Sequence, residues 1–377
     1  MKTLIYNGHL IIDGNKEIPN GCVLIENKKI IGIYANEIDL KVDQRIDALG
    51  NYVIPGLLDM HTHGSLGYDF NDCSREEIDK ISDYFISEGV TGFLASLVCE
   101  KEDDYASILK RYEDVTSPNL IGIHMEGPFL NIEQKAVMKE DCLRNPDERE
   151  WKHYLEISSK IKSMSIAPEL TNANRIIQDA TNKGIIINIG HSSASCEEAQ
   201  LAQNYGATGI THLYNAMSQH LHRSPGIVTA AFLSNYMCEL IVDGFHIHKD
   251  IIKATYQNIG RNRIILISDA NPCKGLADGN YSFSGKNIII KQGEATVKET
   301  GRIAGSTLSM AQACRNMIKY CNCDIKDVVQ MAAVNPGLQY HLLQGKLAIG
   351  YEGNAVIVNK EFEILSVINQ DQIFQFK

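Results

Sequence analysis

Eight short apolar runs, rich in β-branched residues, recur along the middle of this chain with helix-forming stretches between them. They are 53–64 (VIPGLLDMHTHG), 91–98 (TGFLASLV), 119–127 (NLIGIHMEG), 163–170 (SMSIAPEL), 184–192 (GIIINIGHS), 207–215 (ATGITHLYN), 238–246 (CELIVDGFH) and 263–270 (RIILISDA). Near-continuous apolar runs suit parallel strands covered on both faces by helices. Helix signals fall between them. Ser74 with Glu77, and Ser195 with Glu198, have capping-box spacing, and Gly89 and Gly206 stand where those helices would stop. Eight βα units over this length predict an α/β fold, a (β/α)8 TIM-like barrel. A doubly wound sheet is the alternative, but it needs a glycine-rich phosphate loop after an early strand, and no G-x-G-x-x-G occurs there.

The two chain ends read differently. TLIYNGHLII, GCVLIENKKIIGIYA and QRIDALGNYVI near the start, and EGNAVIVNKEFEILSVINQ near the end, look like short strands with Gly and Asn turns. They are expected to pair as a small β-sandwich domain, giving residues 1–53 and 346–377 to the sandwich and 54–345 to the barrel. A net charge of -10 argues against nucleic acid or an anionic membrane as the main partner, while leaving room for a local basic pocket. No run approaches the roughly 20 apolar residues of a membrane span. The first residues lack the apolar core of a secretory signal. The 10 cysteines form no C-x-x-C pair, and Cys321 with Cys323 is a lone C-x-C. Reduced, mostly buried thiols in a cytoplasmic protein are expected.

Polar residues end most of the runs. His61, His63, Glu126, His191, His212, His246 and Asp269 are seven such residues on six of the eight. His61 and His63 are two apart, so in a strand they share a face. That pair alone reads equally as two surface histidines in a turn. Seven residues of this kind need another explanation, because barrel strands bring their C-terminal ends to one mouth, where active sites form. Imidazoles with a carboxylate suit a zinc-like divalent metal, and Asp269 could carry protons there. His124 shares a face with Glu126 and is expected behind the ligands. His220 and His248 read as solvated loop residues, and His153 as a helix-surface residue.

Longer motifs add to this reading. They are HMEGPFLN (124–131), GHSSAS (190–195), THLYNAM (211–217), HRSPG (222–226), DGFH (243–246), SDA (268–270), GLADGNYSFSG (275–285) and AGSTLSM (304–310). On these motifs, in order over nearly its whole length, the chain resembles the metal-dependent amidohydrolases, and among them the N-acetylglucosamine-6-phosphate deacetylases. The resemblance implies that Glu126, His191 and His212 are the principal metal ligands. It makes His61 and His63 ligands of a second ion that some members lack, and Asp269 the proton-transfer carboxylate. It implies that Asn215, Ala216, Arg223 and His246 hold a sugar phosphate, partly through backbone N–H groups. Ala304, Gly305 and Ser306 would form a substrate-contacting loop. The implied cofactor is one or two divalent ions, zinc first, with iron, manganese or cobalt as alternatives.

The implied reaction is hydrolysis of the N-acetyl group of an N-acetyl amino sugar 6-phosphate, with N-acetylglucosamine 6-phosphate as substrate, in a cytoplasmic homodimer. Three rivals stay open. One is the galactosamine epimer of the substrate. Another is different amidohydrolase chemistry, of the dihydroorotase or D-aminoacylase kind, against which Arg223 and His246 favour a phosphate. The third is a sugar-phosphate-binding protein without catalysis, against which Asp269 and the intact ligand set argue. Outside its motif, Arg223 would read as a solvated loop charge. Two departures from the family pattern stand out. Met138 lies near the position of a substrate-contacting histidine, and a thioether cannot donate a hydrogen bond. Gly353-Asn354 replaces an Ala-Asp pair before the last strands, remote from the mouth.

Overall fold

The run that opens at residue 53 serves two sheets. In the computed structural model, which describes residues 1–376, Tyr52–Pro55 joins the sheet of the chain ends, and the barrel begins with Leu57–Thr62. Gly56 lies between them. A Cβ there would stand 1.9 Å from Thr91 Oγ1, so the switch from one sheet to the other depends on an absent side chain.

The barrel strands are β1 (Leu57–Thr62), β2 (Val90–Val98), β3 (Leu120–Glu126), β4 (Ile161–Ile166), β5 (Ile186–Ile189), β6 (Gly209–Ile210), β7 (Met237–Ile241) and β8 (Ile264–Ile267). They are parallel, and each pairs with the next in chain order. A doubly wound sheet would break that order. The last gap is bridged beyond β8, where Asp269 N donates to His61 O at 2.9 Å and His63 N to Ala270 O at 2.7 Å. Asp59 reinforces this seam by accepting from Ser268 N (3.1 Å) and Ser268 Oγ (2.6 Å). All of β2 is buried, as its near-continuous apolar run requires.

Eight helices follow the strands: α1 (Arg75–Ser87), α2 (Glu102–Tyr112), α3 (Glu148–Ile157), α4 (Ala173–Asn182), α5 (Cys196–Asn204), α6 (Ile227–Leu233), α7 (Lys249–Ile259) and α8 (Met310–Cys321). The capping boxes of Ser74 with Glu77 and of Ser195 with Glu198 form as expected. Gly89 and Gly206 follow these helices with φ of 83° and 113°, a region where a side chain is costly. No helix among the described residues is long and apolar enough to cross a membrane.

The chain ends build one sheet. Along it lie Gln372–Gln375, Ile364–Asn369, Asn354–Val358, Tyr52–Pro55, Lys2–Ile11, Glu17–Glu26 and Lys29–Tyr34, with Gln44–Asp47 also on Lys2–Ile11. Lys2–Ile11 pairs with Gln44–Asp47 through Thr3–Tyr6 and with Tyr52–Pro55 through His9 and Leu10. Asn7, at φ 54°, and a register shift beside Gly8 bend the strand between those halves. The expected sandwich is therefore a single bent sheet, whose halves share Ile5, Val23 and Ile25 with Ile357 and Ile368 in one core.

The sequence reading did not anticipate a three-stranded antiparallel insertion between β8 and α8, formed by Gly279–Phe283, Lys286–Lys291 and Glu294–Val297. Its Phe283, Ile288 and Ile290 pack with Val98, Met138 and Cys142, building an apolar wall beside the barrel mouth.

Candidate active site

Three of the polar strand-end residues take a backbone conformation that their side chains disfavour. His191, His212 and Asp269 have φ of 46°, 27° and 46°. Such non-glycine positions cost on the order of 1–3 kcal/mol each and persist where surrounding structure holds them. Here they end the strand direction and lead the chain out over the mouth. β6 shows the effect most clearly, because the run expected over 207–215 keeps only Gly209–Ile210 as strand.

The side chains form two groups. Glu126, His191 and His212 offer ligand atoms within 4.8 Å of one another, and His61, His63 and Asp269 do the same. Glu126 stands between the groups. Its Oε1 lies 3.0 Å from His191 Nε2 and 3.1 Å from His212 Nε2, and 3.3 Å from His61 Nε2. Its Oε2 lies 3.3 Å from His63 Nε2, which is also 3.3 Å from Asp269 Oδ1.

The donor set fits divalent metal. Three imidazoles have Nδ1 occupied from outside the cluster: His61 by Glu239 (3.0 Å), His63 by Ser96 O (3.1 Å) and His191 by Gln134 O (2.7 Å). Metal-binding histidines are held this way, with the free nitrogen turned toward the ion. His61 Nε2 is buried and makes no hydrogen bond, the condition of a ligand atom awaiting its partner.

The charges agree with that fit. Burial would raise the carboxyl of Glu126, but the charges of His191 and His61 hold it well below the usual range. Burial opposes ionisation of Asp269 too, yet its hydrogen bond to His63 and the nearby imidazoles bring it down to about 2. Both are carboxylates at neutral pH. Burial disfavours the charged form of His63, but Asp269 and Glu126 raise it to about 9. An ion would take over the role of those protons. His124 differs. Burial and the charge of His61 push it well below the ordinary imidazole value, and it bonds to Ser163 and Ser165 inside the barrel. Its ring packs tilted against that of His61, 4.7 Å between centroids, so it lies behind the ligands.

Residues 52–374 match the amidohydrolase family. The chain belongs to this family. The N-acetylglucosamine-6-phosphate deacetylase of Lysinibacillus sphaericus is 35% identical over 340 residues, covering 88% of this chain and 87% of that protein. The N-acetylgalactosamine-6-phosphate deacetylase of a Shewanella strain is 31% identical over 322 residues, covering 84% of this chain and 81% of that protein. A mutant of the Mycobacterium smegmatis N-acetyl-D-glucosamine-6-phosphate deacetylase, solved in complex with N-acetyl-D-glucosamine-6-phosphate, superposes with a TM-score of 0.93 at 27% identity. That alignment covers 99% of each chain.

In this amidohydrolase, the cavity above the two groups is bordered on one side by Asn215, Ala216 and His246 and on another by Ala304 and Gly305. Ser306 lies beneath that border. Its Oγ donates to Ser268 O and its N–H to Asp269 O (2.8 Å), so it secures the end of β8. Arg223 is not brought to the cavity of its own chain. It sits exposed on the loop between Met217 and Gly226. Cys196 N bonds to Pro225 O (3.0 Å) and Ile227 N to Ser218 Oγ (3.1 Å), which pins both ends of the loop and leaves its tip in solvent. Met138 does reach the cavity wall, with Cys99 Sγ 3.3 Å from its sulfur.

Three contributors escaped the sequence reading. Glu239 lies inside β7 and bonds to His61. Asp243 accepts from His246 Nδ1 at 2.6 Å and from its backbone N–H at 2.9 Å. Gln134 holds His191 with a carbonyl, which no residue-type pattern can reveal. Glu239 had a signal, a charged residue within an apolar run, and Asp243 stands three residues before His246 in a motif already noted.

Proposed function

We propose that this amidohydrolase removes the acetyl group of N-acetylglucosamine 6-phosphate, releasing glucosamine 6-phosphate and acetate. The observation that carries the proposal is the convergence of Glu126, His191 and His212 with His61, His63 and Asp269 at one barrel mouth. Glu126, His191 and His212 would hold the principal ion, and His61 and His63 a second. These N and O donors, without a cysteine, suit zinc, and elemental analysis would separate it from iron, manganese or cobalt. A divalent ion there supplies Lewis acidity, polarising the amide carbonyl and making water acidic enough to react at neutral pH.

The chain's own groups do the rest. Asp269 is ionised and accepts the proton of the attacking water as the oxygen bonds to the amide carbon. The carbon–nitrogen bond then breaks as Asp269 passes that proton to the nitrogen, because a neutral amine leaves far more readily than an amide anion. His246, when protonated, supplies positive charge for the phosphate, and Ala216 supplies its backbone N–H, since that of Asn215 is taken by His212 O at 3.0 Å. Val98 ends β2, four strands from β6 and so across the mouth from that turn. With Met138 and Phe283 it offers an apolar wall to the acetyl methyl group.

The Shewanella relative favours a second reading, the galactosamine epimer. Acetate release from N-acetylglucosamine 6-phosphate, N-acetylgalactosamine 6-phosphate and N-acetylglucosamine tests both. The highest kcat/KM should fall on the first substrate. A preference for the second establishes the epimer, and equal rates with and without phosphate contradict the phosphate site.

A further inference from the structure

We infer that Glu239 is a positioning residue that ties the two ligand groups together and strengthens binding of the second ion. It is 2% exposed, a charged side chain within the otherwise apolar β7. The reaction described above does not use it. Its Oε2 lies 3.0 Å from His61 Nδ1 and accepts from the backbone N–H of His212 at 3.3 Å, and its Oε1 accepts from Asn188 Nδ2 at 2.9 Å. His61 belongs to one group of ligands and His212 to the other. One carboxylate therefore reaches both, through the ring of the first and the backbone of the second.

Each contact has a consequence for metal binding. A carboxylate only accepts, so His61 must carry its hydrogen on Nδ1 and present the Nε2 lone pair to the cluster. No other hydrogen bond fixes that ring, because Nε2 makes none. His212 stands at φ 27°, and residue 239 holds this turn twice. The side chain takes the N–H of His212, and the backbone carbonyl takes the N–H of Leu213 at 2.9 Å. Asn188 is oriented from behind, with Gln339 Nε2 3.3 Å from its Oδ1, so its NH2 must face Glu239. Glu239→Gln is nearly isosteric but places an amide NH2 against a donor, and it removes the charge that makes His61 a stronger ligand.

This inference rests on the reading that His61 and His63 bind an ion, so the test measures that first. Metal-free wild type is titrated calorimetrically with zinc, and bound zinc is counted by elemental analysis. The same is done for Glu239→Gln, for His61→Ala and for the double variant. Wild type should take up two equivalents. Glu239→Gln should keep one and bind the other about 10–100-fold more weakly, the usual effect of losing an outer partner. The double variant should match His61→Ala. One equivalent in wild type overturns the two-ion reading and the inference with it. Two unchanged equivalents in Glu239→Gln overturn the role of Glu239 alone. Parallel loss of both, or a further loss in the double variant, makes the residue merely structural. Imidazole nitrogen resonances of zinc-loaded wild type give a check that needs no variant. His61 should be protonated at Nδ1, and protonation at Nε2 overturns the inference.

Discussion

Asp243 Oδ2 lies 2.6 Å from His246 Nδ1, and Oδ1 of the same carboxylate accepts the backbone N–H of His246 at 2.9 Å. Burial alone would favour the neutral ring, but the hydrogen bond and charge of Asp243 raise its pKa above the ordinary imidazole value. The imidazolium therefore persists to higher pH than in a free histidine. If it holds the phosphate, KM for N-acetylglucosamine 6-phosphate rises as pH climbs through that raised pKa. In Asp243→Asn the burial cost remains and the main compensating charge is gone, so the rise moves to lower pH. KM measured across roughly pH 6–9, where histidine titrates, checks this. Superimposable profiles for the two proteins would remove His246 from the phosphate site.

Asp269 tests the proton transfer. It is ionised, faces His63 at 3.3 Å, and stands just beyond β8 in a left-handed backbone conformation. Asp269→Asn should keep the fold and most of the metal while lowering kcat by at least ~100-fold, as for other general acid–base groups. Near-normal kcat in a fully metal-loaded variant would reassign the step.

Met138 lines the cavity and packs against Cys99. A thioether gives the substrate no proton, so its contribution is shape. Met138→Leu conserves volume and should leave kcat within about threefold. A hundredfold loss would mean that sulfur takes part in the reaction.

Gly56 tests the junction of the two sheets. A methyl group there meets Thr91 Oγ1 at 1.9 Å. Gly56→Ala should lower stability by about 1–3 kcal/mol, the usual cost of overpacking, and Thr91→Ala should recover part of it. Denaturant unfolding of the single and double variants measures both effects. Unchanged stability in Gly56→Ala would mean that the two sheets have room to separate.

How far the sequence reached follows from where each signal lies. The barrel was legible because Val90–Val98 and its counterparts are near-continuous apolar runs, and the mouth because polar residues end them. Asp59, Gln134 and Glu239 were not, since their partners lie far along the chain and meet only after the barrel closes. The insertion at 279–297 was passed over because its strands are short and separated by glycine turns within a region noted only for its family motif. The exposure of Arg223 was invisible for another reason. The loop's outward course is set by contacts of Ser218 and Pro225 with neighbouring backbone, not by the arginine itself.

The central claim is metal-dependent deacetylation by the cluster around Glu126. Acetate and free amine are measured as the purified protein acts on N-acetylglucosamine 6-phosphate, before chelation, after chelation, and after stoichiometric zinc is restored. Wild type should release the two products in equal amounts, lose activity with its metal and regain it on reloading, while Glu126→Gln should stay inactive after the same reloading. Full activity in the metal-free protein, or no release of either product by wild type containing its metal, would contradict the account.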